Sequence, residues 1–171
     1  MSEARPALRE SGLVWLPVAV LSIIADQITK AVILARFELH ESVTVLPVLD
    51  ILRAHNPGAA FSFLAGAGGW QRWFFTLLAI GVSVAILMWL RQLPARRPVL
   101  PPLGLALVLG GAIGNVIDRM QHGYVVDFIG VHWNDAWFPA FNVADACITV
   151  GAGMLLLDML LEWRRERRRV K

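Results

Sequence analysis

Three stretches of this chain set polar side chains at helical spacing within apolar surroundings. Asp26 and Lys30 are four apart with the acid first, the favourable order for an ion pair along a helix. Asn115 and Arg119 are four apart with Asp118 between them, and Asn142 and Asp145 are three apart, so each pair shares a helix face. A further acid, Asp127, lies in VVDFI, among apolar neighbours that favour its neutral form. Two nearby carboxylates cannot both ionise cheaply, so one keeps a proton while the other serves as a base. Such a pair hydrolyses an amide. The base takes a proton from water, the water attacks the carbonyl, and the acid polarises that carbonyl and then protonates the leaving nitrogen. Asp145 is the first member to choose, because it lies beside Asn142 near a helix N-terminus, whose positive dipole end suits a base. Its partner is Asp118 or Asp127. Arg119 would hold Asp118 ionised if the two side chains meet, which leaves Asp127 the mildly preferred proton holder.

The elements that carry these residues are membrane-crossing helices. A hydrocarbon layer of roughly 30 Å takes about 20 helical residues, and four stretches are long enough: about 13–35, 70–90, 99–117 and 139–161. At the helical rise, Asp26 and Lys30 sit roughly 20–26 Å above the start of the first span. Asn115, Asp118 and Arg119 sit about 24–30 Å above the start of the third. The fourth span runs back, so Asn142 and Asp145 fall in its first two turns. All three polar sets therefore meet near one bilayer edge. The loop of about 36–69 is too long to lack structure. Its β-branched segment VTVLPVLDIL predicts a small sheet, with Pro47 on an edge strand.

Composition agrees with burial in lipid. Hydrophobic residues make up 57% of the 171 residues, and the mean hydropathy is +0.58. The basic residues collect on one side. Arg5, Arg9, Arg91, Arg96, Arg97 and the six Lys and Arg of the tail 164–171 face Arg36, Arg53, Arg72 and Arg119 on the other. Both termini are therefore expected in the cytoplasm, with the longer loops outside. The tail reads as a topology signal and a contact for anionic lipid, and no nucleic-acid partner is expected. The single cysteine, Cys147, excludes an internal disulfide. The four histidines have no metal-ligand spacing, so neither a metal nor another cofactor is expected.

Five blocks, in order, carry a family resemblance: DQITK at 26–30, NPGAAF at 56–61, GGAIGNVIDR at 110–119, VVDF at 125–128 and FNVAD at 141–145. With them, the chain resembles the bacterial lipoprotein signal peptidases (signal peptidase II). The resemblance implies an aspartic endopeptidase of the inner membrane that cuts prolipoproteins just before the lipid-modified cysteine. It implies catalysis by Asp127 and Asp145, and substrate or inhibitor contacts at Asp26, Lys30, Asn56, Asn115, Arg119 and Asn142. It further implies sensitivity to globomycin and a four-helix bundle with a small extracytoplasmic sheet.

The expected fold is thus an all-α integral membrane protein of four transmembrane helices with a small sheet in the first outer loop. It is expected to act as a monomer whose partners are lipid-modified signal peptides and membrane lipid. Gly110, Gly111 and Gly114 read as close-packing positions and Asp118 as structural support. Asp50 and Asp135 read as solvated. A small proton-coupled transporter is the alternative, but it would need polar groups on toward the cytoplasmic side. A non-catalytic scaffold would leave the buried acids as an unexplained cost.

Overall fold

The computed structural model describes residues 10–58, 69–95 and 99–169. Residues 59–61 of the NPGAAF block and the basic residues Arg5, Arg9, Arg96, Arg97 and Lys171 lie outside them. Among the described residues four α-helices run up and down: α1 (Leu16–Arg36), α2 (Trp70–Gln92), α3 (Leu100–Gln121) and α4 (Val143–Arg169). All four are long and apolar enough to cross a membrane. α3 is the central one. Of its most apolar window 61% is buried within the protein, against 28% for the first span, 22% for α2 and 11% for α4. The other three turn leucines such as Leu21, Leu77 and Leu156 outward, as lipid-facing helices must. Hydroxyls within the spans are satisfied locally: Ser22 donates to the Val18 carbonyl at 2.9 Å and Ser83 to that of Ala79 at 2.7 Å.

The centrality of α3 follows from its small residues. A Cβ added at Gly110 would stand 2.7 Å from the Ala19 carbonyl oxygen, and one at Gly114 would stand 2.7 Å from Asp26 Oδ2. Glycine therefore lets α1 pass close enough for Asp26 to reach across α3. Away from the polar residues, Ala19, Ile86, Leu90, Leu105 and Leu109 form an apolar core.

Four antiparallel strands cap the other end, in the order β1 (Ser42–Leu46), β2 (Leu49–Asn56), β3 (Val125–Trp133) and β4 (Ala136–Trp137). The expected sheet is present, but only half of it comes from the first long loop. The connection between α3 and α4 supplies β3 and β4. VVDFIGVHW is as rich in β-branched and aromatic residues as the first segment, and its Val126 and Phe128 pack with Ile33 beneath the sheet. Pro47 is not within the edge strand. It sits with Val48 in the turn that joins β1 to β2, where no ladder N–H is needed.

Three helix boundaries also differ from the sequence reading. α3 continues to Gln121, so Asp118 and Arg119 are helical. α4 begins at Val143 rather than near residue 139, because the preceding residues are held by the sheet: Phe141 donates to Ile129 O at 3.1 Å and accepts from Ile129 N at 2.8 Å. At its far end α4 extends through the basic stretch to Arg169. Asp50 is buried rather than solvated, accepting from Ser42 at 3.2 Å and facing His132 at 3.5 Å across the sheet.

Candidate active site

Asp127 is brought to the helix bundle by β3. The pairing of β2 with β3 sets Ala54 opposite Asp127 and Asn56 opposite Val125. From there Asn56 Nδ2 donates to Asp127 Oδ2 at 3.0 Å. The Asn56 side-chain oxygen Oδ1 accepts the Gly58 N–H at 2.9 Å, an Asx turn that fixes the amide's orientation. Gly58 has φ +104°, which a side chain would strain.

Asp145 is brought there by the start of α4. Asn142 is not in the first turn of that helix but caps it. Its main-chain carbonyl accepts from Ala146 at 3.1 Å, and its side-chain oxygen accepts the Asp145 N–H at 2.9 Å. Asp145 is therefore the third helical residue, where the helix dipole favours an anion. The amide end of the same Asn142 donates to Asp127 Oδ1 at 2.7 Å. One asparagine thus binds both acids, the first by its NH2 and the second by the oxygen that holds its backbone. Asp145 Oδ1 in turn accepts from Asn115 Nδ2 at 2.8 Å. Each carboxylate is surrounded by neutral amides, and among the described residues neither makes a salt bridge.

The electrostatics separate the two acids. Asp127 is 3% exposed. Burial, reinforced by the negative charge of Asp145, pushes its pKa up to about 7, against the opposing effects of the Asn56 and Asn142 hydrogen bonds and of Lys30. A carboxyl group there holds a proton near neutrality. Asp145 is only half-buried and accepts a single amide donor, from Asn115, at the start of α4. These are the environments that an acid and a base need.

The remaining site residues divide by depth. Arg119 lies over the Phe75 ring at 5.5 Å and donates to the Asn115 carbonyl at 3.3 Å, with its Nε buried and without a hydrogen-bond partner. The condition left open by adjacency, that its side chain meets Asp118, is not fulfilled. Asp118 pairs with Lys30 at 2.9 Å instead, and Lys30 also holds Asp26 at 2.8 Å. Asp26 and Lys30, which the resemblance placed among the substrate contacts, are 0% and 2% exposed and lie behind the carboxylate pair. Gln27 had no role assigned from sequence, although it adjoins Asp26. It donates to Asp118 Oδ1 at 2.9 Å and to Asp26 Oδ2 at 3.2 Å. Tyr124, also unassigned, stacks on His55 at 3.8 Å beside the Asn56 strand. Burial and the charge of Arg53 lower the pKa of that histidine. Among the described residues no group of His, Cys, Asp or Glu could hold a metal ion.

Fold and site together define a polytopic membrane protein with a paired-carboxylate site at one end of its helix bundle. The family model for signal peptidase (SPase) II matches residues 18–161, and the chain belongs to that family. It is 51% identical over 160 residues to the lipoprotein signal peptidase of Shewanella pealeana, covering 94% of each chain. It is 53% identical over 152 residues to that of Shewanella woodyi, covering 89% of this chain and 86% of the relative. With the lipoprotein signal peptidase of Alteromonas mediterranea it shares 50% over 151 residues, 88% of this chain and 82% of the relative. Two solved structures, described as bacterial membrane enzymes, superpose with TM-scores of 0.76 and 0.73 at 30% identity. They cover 87% and 86% of this chain, and 88% and 92% of theirs. The family assignment favours a peptidase over the transporter reading. So does the placement of the buried ionisable residues, which among the described residues gather at the sheet end, with Asp158 alone toward the other.

Proposed function

We propose that this protein is an aspartic endopeptidase that removes signal peptides from prolipoproteins by cutting before the diacylglyceryl-modified cysteine, with Asp127 as acid and Asp145 as base. The observation that carries the assignment is the single Asn142 side chain joined to both acids, one of which holds a proton near pH 7. Asp145 takes a proton from water, and the water oxygen bonds to the scissile carbonyl carbon. Asp127 gives its proton to the carbonyl oxygen. The tetrahedral intermediate collapses as the proton on Asp145 passes to the leaving nitrogen, and the hydroxyl proton returns to Asp127. Asn56, Asn115 and Asn142 hold the two carboxyl groups, and Arg119 lies at the site as a cation for the substrate.

The sheet end of the bundle faces outward in this proposal, with both termini in the cytoplasm of a bacterial inner-membrane protein. A lipid-anchored signal peptide then presents its scissile bond at the depth of the site without leaving the bilayer. The test is cleavage of a lipidated precursor by Asp127→Asn and Asp145→Asn proteins that still insert. Loss of turnover in both supports the pair, and robust turnover in either sinks it. Cleavage by the unaltered protein should survive a strong chelator.

A further inference from the structure

Behind the reacting pair lies a second cluster, of Asp26, Lys30 and Asp118, exposed by only 0%, 2% and 2%. Its hydrogen bonds point toward the site. Asp118 Oδ2 accepts the backbone N–H of Val126 at 3.0 Å, and Val126 immediately precedes Asp127. Asp26 Oδ1 accepts the backbone N–H of Ala144 at 2.9 Å, and Ala144 immediately precedes Asp145. Lys30 Nζ spends its three donors on Asp26 at 2.8 Å, Asp118 at 2.9 Å and Asn115 Oδ1 at 3.0 Å. An ammonium donates only, so Asn115 must show it the oxygen and turn its NH2 toward Asp145. Stability alone does not account for such a cluster, since well-packed apolar side chains of the same volume often do as well.

On the reading of Asp127 and Asp145 as the reacting pair, on which this rests, we infer that Asp26, Lys30 and Asp118 are positioning residues for both. Each of the two carboxylates fixes the backbone one residue before a catalytic aspartate, and Lys30 fixes the amide that faces Asp145. None of the three reaches substrate. The cluster joins α1 and α3 to β3 and α4, so it sets the separation of the acid and the base. A displacement of about 1 Å at a reacting group can cost on the order of 100-fold in rate.

The test uses the full chain in detergent with a lipidated peptide substrate, and measures kcat and KM separately. Asp118→Ala removes the Val126 anchor and should lower kcat about 100-fold with KM unchanged. Asp118→Asn keeps an oxygen for that N–H and should recover roughly tenfold of the loss. Lys30→Gln still offers a donor to Asn115 and should again lower kcat without moving KM. If Asp118→Ala is not recovered folded, the kcat and KM of Asp118→Asn and Asp26→Asn decide by the same criterion. Wild-type kcat in the folded variants, or a raised KM at constant kcat, would overturn the positioning role and make these residues spectators or substrate contacts. Asp127→Asn and Asp145→Asn run in parallel. Activity in those two removes the reacting pair itself, whereas inactivity there with a KM effect in the cluster removes only the positioning role.

Discussion

Four aspartates meet at the sheet end of the bundle in two pairs, and the two pairs are treated in opposite ways. Asp26 and Asp118 share a lysine ammonium. Asp127 and Asp145 share the neutral amide of Asn142. A lysine held between two buried carboxylates ties both to one geometry, with all three of its donors engaged. Asn142 holds the Asp127 carboxyl by its NH2 and the Asp145 backbone N–H by its oxygen, and it brings no charge to either. On the proposed assignment, the supporting pair is thus tied by one cation and the reacting pair is held by neutral amides.

The largest effect expected from breaking this contrast is at the reactive pair. Asp127→Asn or Asp145→Asn should each lower kcat by at least roughly 10³-fold, measured with a lipidated peptide at saturating concentration. Asn142→Ala comes next. It removes one of the two amide donors to Asp127 and the α4 cap on the Asp145 N–H, so kcat should fall about 100-fold and stability by about 1 kcal/mol, read as turnover and as a melting midpoint in detergent. Gly114→Ala attacks the other pair by pushing a methyl group against Asp26 Oδ2. It should cost about 1–3 kcal/mol of stability, with a smaller fall in kcat than Asn142→Ala.

The pH dependence sharpens the same contrast. With the pKa of Asp127 raised to about 7 from 3.8, the folded state holds more protons than the unfolded chain between those values. Stability from this group therefore falls as pH rises through that window and stays low above it. Asp127→Asn should for this reason melt higher than wild type at pH 8 and nearly equal to it at pH 4. Turnover by wild type should also decline as pH rises through about 7, when the acid loses its proton. The smallest effect is expected at Asp50, remote from both pairs. Asp50→Asn should leave kcat within about twofold and stability within about 1 kcal/mol of wild type.

Much of this architecture was legible in sequence because hydropathy and helical spacing are local. The four helices, the level of the polar residues and the composition of the site all follow from runs of about 20 residues and spacings of three or four. What was not legible depends on how elements face one another. Spacing puts Lys30 beside Asp26, but only the rotation of α1 against α3 decides that it also meets Asp118, leaving Arg119 to lie over Phe75. Asn142 looked helical because a cap shares its spacing with the turn it begins. β3 is not legible from local spacing because its partner, β2, lies some 70 residues away, as the Asn56–Asp127 bond across 71 positions illustrates. The burial of Asp50 has the same origin, since His132 arrives from that distant strand.

The bond from Ala144 to Asp26 spans 118 positions of the chain, and that separation bears on the order of events during synthesis. Asp26 enters the membrane with the first span, long before its backbone partner has been made. Until then Lys30, one turn away, is the neighbour that offsets its charge. The carboxylate of Asp145 and the amide of Asn142 arrive only with the last helix. A nascent chain therefore lacks half of the carboxylate pair through most of its insertion, and the pair is completed only when the fourth span docks.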